Sequence, residues 1–158
     1  MKNIYLIGMP GCGKTTVAKI LARKLSMSLV DTDSIIESKY GSISEIFKTM
    51  GEQYFRSLET ETLKEIKENT VVSTGGGIVK TNTNREIMSK GIVIFIDTPP
   101  DVLKTRSLFG NRPLLKSSSD IEKLYSERYD LYKAWADVAV DGSNSPMFVA
   151  KEIVKSVK

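Results

Sequence analysis

An α/β fold, doubly wound around a mostly parallel sheet with helices on both faces, is predicted by three features of this 158-residue chain. Short apolar runs alternate with helical patterns from one end to the other. The run Ile92-Val93-Ile94-Phe95-Ile96 is apolar throughout, as a strand covered on both faces must be. The first run, Ile4-Tyr5-Leu6-Ile7, passes directly into a glycine-rich turn and then a helical pattern, the strand–loop–helix unit from which such sheets are wound.

The elements follow in order. Ile4–Ile7 is the first strand, and Val17, Ile20, Leu21 and Leu25 mark the inner face of the first helix. Leu29-Val30 forms a second strand leading to Asp31 and a helical stretch, which Gly41 breaks. Ser42-Ile43-Ser44-Glu45 resembles a capping box opening the next helix. From Glu52 to Lys67, Phe55, Leu58, Thr62 and Ile66 fall on one helical face. Val71-Val72-Ser73 is a short strand ending in Gly75-Gly76-Gly77, and Ile92–Ile96 is the fourth strand. Pro99-Pro100 opens the following helix. Ser107 to Ser119 lacks periodicity and is rich in Gly, Asn, Pro and Ser, which predicts a mobile loop. Asp120 to Ala136 is helical, Val138-Ala139-Val140 is the last strand, and Pro146 to Val157 is the last helix. No repeat or linker interrupts the pattern, so one domain over residues 1–158 is expected.

Composition narrows the function. Apolar residues make 41% of the chain and charged ones 27%, ordinary values for a globular enzyme. No run approaches membrane-spanning length, the first residues are a strand and not a leader, and the single Cys can form no internal disulfide. These features predict a cytoplasmic protein without a membrane partner. The net charge of +4 comes from 23 basic residues against 19 acidic ones. The basic residues are spread singly, without a tract or an aromatic stripe, which argues against nucleic acid and suits small anionic substrates. There is no histidine, so histidine triads, histidine proton transfer and histidine metal sites are excluded.

Gly8-Met9-Pro10-Gly11-Cys12-Gly13-Lys14-Thr15 is the phosphate loop G-x-x-x-x-G-K-[ST], in the strand-to-helix setting it requires. Its glycines let backbone N–H groups turn toward phosphate oxygens, and the following helix points its positive end at the same charge. Gly11, Cys12, Gly13, Lys14, Thr15 and Thr16 are therefore the candidate triphosphate-binding residues. Lys14 is expected to reach the β- and γ-phosphates and the Thr15 hydroxyl to bind Mg²⁺. Cys12 serves through small size rather than thiol chemistry.

Ligands of such folds bind beyond the carboxyl ends of the strands. After the second strand, Asp31-Thr32-Asp33 offers one carboxylate for Mg²⁺, usually through water, and one to accept a hydrogen bond from a substrate hydroxyl. The alternative is a cap for the helix beginning near Ser34, a role Asp33 could combine with the first. The glycine triplet marks either close backbone approach to a ligand or a tight turn. Asp97 ends an apolar strand, as a magnesium-holding carboxylate does, but the prolines after it also make it a turn residue, and it ranks below Asp31. Arg56 precedes Glu59 by three residues, which either fixes a fork for a carboxylate or makes a surface ion pair. Arg112 lies in the predicted mobile loop, where it can neutralise a phosphoryl group in transfer, and Arg106 and Arg128 flank that loop as anion or base contacts.

These residues together resemble the shikimate kinases, within the nucleoside-monophosphate-kinase-like phosphate-loop kinases, over nearly the whole chain. The carriers are Gly8–Thr15, Asp31-Thr32-Asp33, Phe55-Arg56 with Glu59, Ser73-Thr74-Gly75-Gly76-Gly77, Arg112-Pro113-Leu114-Leu115, and Arg128 with Leu131-Tyr132. The resemblance implies a three-layer α/β/α P-loop kinase fold, a five-stranded parallel sheet in the order 2-3-1-4-5, substrate-binding helices over about 32–66 and a mobile lid over about 107–119. It implies transfer of the γ-phosphoryl of ATP to the 3-hydroxyl of shikimate, with Mg²⁺; the sequence does not give the oligomeric state, and a monomer is the simplest reading.

Carried over by position, Asp33 would hold the reacting hydroxyl and act as base if one is needed. Arg56 and Arg128 would clamp the shikimate carboxylate, with Gly75, Gly76 and Gly77 touching the substrate through backbone. Thr15 and Asp31 would serve Mg²⁺ with Ser73 behind them, and Phe47 and Phe55 would wall the pocket. Arg112 would reach the phosphates from the lid, and Arg106 would lie against adenine. Two departures stand out. Only residues 107–111 separate Arg106 from Arg112, and Asp141-Gly142-Ser143-Asn144 lacks the basic residue that some relatives place near adenine. A kinase of another polyol or nucleotide, and a nucleotide-binding switch module, are the rival readings.

Overall fold

The computed structural model describes residues 2–107 and 118–157. The chain folds as β1 (Ile4–Ile7), α1 (Lys14–Leu25), β2 (Ser28–Asp31), α2 (Thr32–Tyr40), α3 (Ile43–Met50), α4 (Glu52–Glu65) and β3 (Thr70–Ser73), followed by α5 (Asn82–Met88), β4 (Ile92–Asp97), α6 (Pro100–Ser107), α7 (Ser118–Trp135), β5 (Val138–Asp141) and α8 (Pro146–Val157). The five strands form one parallel sheet in the order β2-β3-β1-β4-β5. The three central strands are buried, whereas the edge strands β2 and β5 are partly exposed. That contrast is why β4 shows as an unbroken apolar run in the sequence and the edges do not.

The order places helices on both faces. The crossover from β1 to β2 runs toward one edge, and those from β2 to β3, β3 to β4 and β4 to β5 run the other way. Because parallel crossovers are right-handed, α1 must cover one face and the helices of the other three crossovers the opposite one. Accordingly α1 packs on α8, α4 on α5, and α7 on β4. The main core gathers Ile4, Leu6, Leu21, Val72, Ile94, Phe95, Tyr132 and Ile153 among others. A second, smaller cluster of Ile36, Ile46, Phe55 and Leu58 holds α2, α3 and α4 together over the open end of the sheet.

Two details depart from the sequence reading. A 3-10 turn (Ile78–Lys80) and α5 occupy the crossover after the glycine triplet, a stretch without a helical signal because Thr81-Asn82-Thr83-Asn84 is polar and poor in helix formers. Helix α2 also starts earlier than expected. Its cap is Asp31, whose Oδ1 accepts from the Ser34 backbone N–H at 3.1 Å, and Asp33 lies inside the first turn. The cap reading of Asp33 is therefore corrected: Asp31, the last residue of β2, stands where the chain leaves extended geometry. The Ser42 cap is as expected, its hydroxyl accepting from Glu45 N–H. The predicted loop from Ser107 to Ser119, with Arg112, lies largely outside the described residues.

Candidate active site

The sheet register assembles the site. Leu6, Ser73 and Asp31 lie side by side on β1, β3 and β2, so the residues that follow them emerge at one edge of the same cleft. From β1 comes the phosphate loop, with Gly11 and Gly13 at φ +82° and +92°, a backbone that side-chain-bearing residues rarely adopt. Lys14 opens α1, is buried, and donates from Nζ to the Gly8 and Met9 carbonyls at 2.8 and 3.0 Å. Its ammonium thus spans the loop that it would share with a phosphate. Gly11, Gly13, Lys14, Thr15 and Thr16 line the cleft, and Cys12 is buried beneath them.

Thr15 Oγ1 donates to Asp31 Oδ2 at 2.8 Å and lies 3.4 Å from Ser73 Oγ. These oxygens suit a hard divalent cation. No group of three or more Cys, Asp or Glu able to hold a metal occurs among the described residues. A cation at Thr15 and Asp31 would therefore take most of its ligands from phosphate and water, the usual manner of Mg²⁺. Asp97 is elsewhere: its Oδ1 accepts from the Tyr125 hydroxyl at 2.8 Å, and it does not line the cleft.

Beyond the loop the cleft continues over β3, enclosing about 320 Å³. Asp33 and Glu59 present carboxylates there, Arg56 and Arg128 guanidinium groups, and Phe47 and Phe55 a wall with ring centroids 5.0 Å apart. Arg56 is no surface residue. Its Nη1 donates to Glu59 Oε1 at 2.8 Å and its Nε to Glu52 Oε2 at 3.1 Å, with side-chain exposures of 11% for Arg56 and 0% for Glu59. Lys80 also pairs with Glu52, so the fork is anchored at both ends. A buried pair of this kind is costly to assemble unless its geometry is used.

Two oxygens in this pocket lack partners. Asp33 Oδ1 and Glu59 Oε2 are buried and accept no hydrogen bond among the described residues. Burial, aided by the charge of Asp31, holds the Asp33 carboxyl above its ordinary range. Burial also pushes Glu59 up to about 7, against the pull of Arg56 and with Asp33 adding to the rise. Orphaned, desolvated acceptors facing a cavity are groups built for hydroxyl donors that arrive with a ligand.

The glycine triplet is explained by close approach to side chains. A Cβ on Gly75 would come within 2.8 Å of Asp33 Oδ1, one on Gly76 within 2.7 Å of Pro10 Cδ and 3.2 Å of Arg128 Nη1, and one on Gly77 within 2.6 Å of Arg56 Cζ. Gly75 and Gly77 therefore make room for polar side chains of the pocket, and Gly76 for the Pro10 ring of the phosphate loop with Arg128 beside it. The segment is pinned by the Thr74 hydroxyl to the Leu6 carbonyl at 2.7 Å, Gly75 N–H to Thr32 Oγ1 at 3.2 Å, and the Tyr132 hydroxyl to the Gly76 carbonyl at 2.6 Å. Thr32, Thr74 and Tyr132 are supports that the sequence reading left without roles. Arg128 and Tyr132, four apart on α7, do share one helical face, a spacing from which a common target could have been read. Arg106 lies outside the pocket and links the Cys12 carbonyl, at 3.1 Å, to the Gly142 carbonyl, at 2.9 Å.

A phosphate loop at the switch point of a parallel sheet, opening into a pocket of paired carboxylates and fixed arginines, defines a phosphate-loop kinase of small molecules. Comparison with known proteins narrows the class. The family model for shikimate kinase matches residues 10–158. A shikimate kinase of Clostridium botulinum (strain Eklund 17B / Type B) is 48% identical over 150 residues, covering 90% of each chain. The shikimate kinase of Acinetobacter baumannii, solved in complex with shikimate, superposes with a TM-score of 0.93 at 34% identity, covering 99% of this chain and 93% of that one. The shikimate kinase of Aquifex aeolicus superposes at 0.86 with 41% identity, covering 98% and 95%. This chain belongs to the shikimate kinase family.

Proposed function

We propose that the cleft carries out the reaction of its family, transfer of the γ-phosphoryl group of ATP to the 3-hydroxyl of shikimate, with the work divided as follows. The triphosphate lies along Gly11–Thr16, its β- and γ-oxygens facing backbone N–H groups and Lys14. Shikimate, a carboxylate bearing hydroxyls, sits over β3. Arg56 and Arg128 bind its carboxylate, and Asp33 Oδ1 accepts from the reacting hydroxyl. As the hydroxyl oxygen bonds to the γ-phosphorus, the bond from that phosphorus to the β-bridging oxygen breaks, and the hydroxyl proton leaves toward Asp33. In a loose transition state most of the gain comes from holding the two oxygens in line and neutralising charge, so histidine is not needed. Thr15 and Asp31 would hold Mg²⁺, which would supply further charge neutralisation at the phosphate oxygens. Arg112, outside the described residues, is assigned to the phosphates by its place in the family motif.

The observation that carries this reading is the shared cleft. An unpartnered Asp33 oxygen and two arginines lie against consecutive glycines in the same cavity as the phosphate loop. Pairs of arginines suit a carboxylate, and a kinase of a neutral polyol has no use for them. Among the described residues no helix is long and apolar enough to cross a membrane. We assign the enzyme to the cytoplasm as a monomer of one domain, the simplest reading of a chain of this size. The test is ADP release from MgATP with shikimate, gluconate and a nucleoside monophosphate side by side. Turnover confined to shikimate is expected; turnover with gluconate or the nucleoside monophosphate in its place would overturn shikimate as the acceptor.

A further inference from the structure

The acceptor pocket lies on the β3 and β2 side of the phosphate loop, so a bound nucleotide must extend its base toward the other side, over the ends of β4 and β5. What stands there is the turn after β5, centred on Gly142. It is held from three directions. Its N–H donates to the Asp97 carbonyl at 2.8 Å, and its own carbonyl accepts from Arg106 Nη2 at 2.9 Å. Its α-carbon lies so close to the buried Thr98 hydroxyl that a Cβ would overlap it, and would come within 2.7 Å of Ile96 Cγ2. Arg106 passes the same constraint to the phosphate loop through the Cys12 carbonyl at 3.1 Å.

The anchor of this arrangement is Asp97, which closes β4 paired with Asp141 of β5, and among the described residues one side chain from outside the sheet holds its carboxylate. The Tyr125 hydroxyl, on α7, donates to Asp97 Oδ1 at 2.8 Å. The Tyr125 ring is itself held against Tyr129, 5.3 Å between centroids, and Tyr129 against Phe95, 6.1 Å. The phenol therefore approaches Asp97 from a packed and directed position. Neither residue lines the cleft. A carboxylate at the end of β4 that took no part in the site described above thus acquires a task.

We propose that Tyr125 and Asp97 are positioning residues for the nucleoside end of ATP: their hydrogen bond sets the place of Gly142, and with it the height of the base-side turn relative to the phosphate loop. The inference rests on the reading of the cleft as an ATP site. In this chain the 141–144 turn carries no basic side chain, so the base is left to the backbone of the turn and to Arg106, whose places must be set by what holds them.

The test is calorimetric binding of ATP, inorganic tripolyphosphate and shikimate to the full chain, wild type, Tyr125→Phe, Asp97→Ala and the double variant. Tyr125→Phe removes one oxygen and leaves the ring packing in place. Loss of roughly three- to ten-fold in ATP affinity is expected, with tripolyphosphate and shikimate unchanged, since only the base side moves. The double variant should bind ATP no more weakly than Asp97→Ala, as two members of one link must. Unchanged ATP affinity in Tyr125→Phe overturns the proposal. So does an equal loss for tripolyphosphate, or for shikimate through a displaced Arg128, and so does an additive double variant. Wild-type protein that binds neither ATP nor tripolyphosphate would instead overturn the ATP reading itself.

Discussion

Asp33 Oδ1 and Glu59 Oε2 converge on the α-carbon of Gly75, where a Cβ would lie 2.8 Å from the first and 3.1 Å from the second. Both oxygens are buried and without a hydrogen-bond partner among the described residues, and they come from different helices, α2 and α4. Only a glycine lets the two carboxylates share this corner of the cleft.

The first consequence concerns that glycine. Gly75→Ala forces Asp33 or Glu59 out of place, at the cost of about 1–3 kcal/mol typical of overpacking. Shikimate affinity should fall by ten-fold or more while tripolyphosphate affinity holds, because the phosphate loop is untouched. Equal affinities for shikimate in the variant and the wild type, measured by calorimetry, would show that the corner is not part of the acceptor site.

The second concerns pH. The Glu59 carboxyl titrates near 7 in the fold against an ordinary 4.5. Between these values the folded protein keeps a proton that the unfolded chain has lost, so the unfolded state binds fewer protons and stability falls as pH rises. The contribution is complete below about 4.5 and lost above about 7. Its size is on the order of 3 kcal/mol. Urea unfolding of the ligand-free protein at several pH values should show this decline, and Glu59→Gln should flatten it. A decline of the same slope in Glu59→Gln would place the titration elsewhere.

The third separates Asp33 from nucleotide binding. Asp33→Asn keeps the shape but cannot take a proton from the substrate hydroxyl. Turnover should drop by about 10²-fold or more with ATP affinity within two-fold of wild type, within the span that general-base catalysis contributes. Retained turnover would leave Asp33 a positioning group at most.

Much of this was legible in the chain before folding, for physical reasons that differ by residue. The phosphate loop is contiguous, so Gly8–Thr15 announces itself with its strand and helix. The buried central strands show as apolar runs, and the five strands with their β2-β3-β1-β4-β5 order match the expectation drawn from the family resemblance. The nature of the Arg56–Glu59 pair, buried and not a surface contact, depended on α2 and α3 closing over α4, which local spacing cannot express. Local spacing offers Asp33 as a cap for α2, whereas pairing with β3 ends β2 at Asp31 and makes that residue the cap. Helix α5 was missed because a parallel crossover requires it there even though its first turn is polar. The glycines at 75–77 signal close approach, but what approaches them (Asp33, Glu59 and Arg56 from α2 and α4, and Pro10 of the phosphate loop) is visible only in the fold.

The proposed function divides one cleft into two halves, the fixed arginines binding the acceptor and the loop binding the nucleotide. The most direct measurement is calorimetric titration of shikimate, and separately of ATP, into wild-type protein and Arg56→Ala. Loss of a charge-assisted contact in a buried pocket should cost shikimate binding roughly 2–5 kcal/mol and leave ATP affinity nearly unchanged. Combining Arg56→Ala with Glu59→Gln, which removes the stranded carboxylate, should keep the fold intact and the same selective loss in place. Shikimate affinity that survives Arg56→Ala, or falls no more than ATP affinity does, would contradict the account.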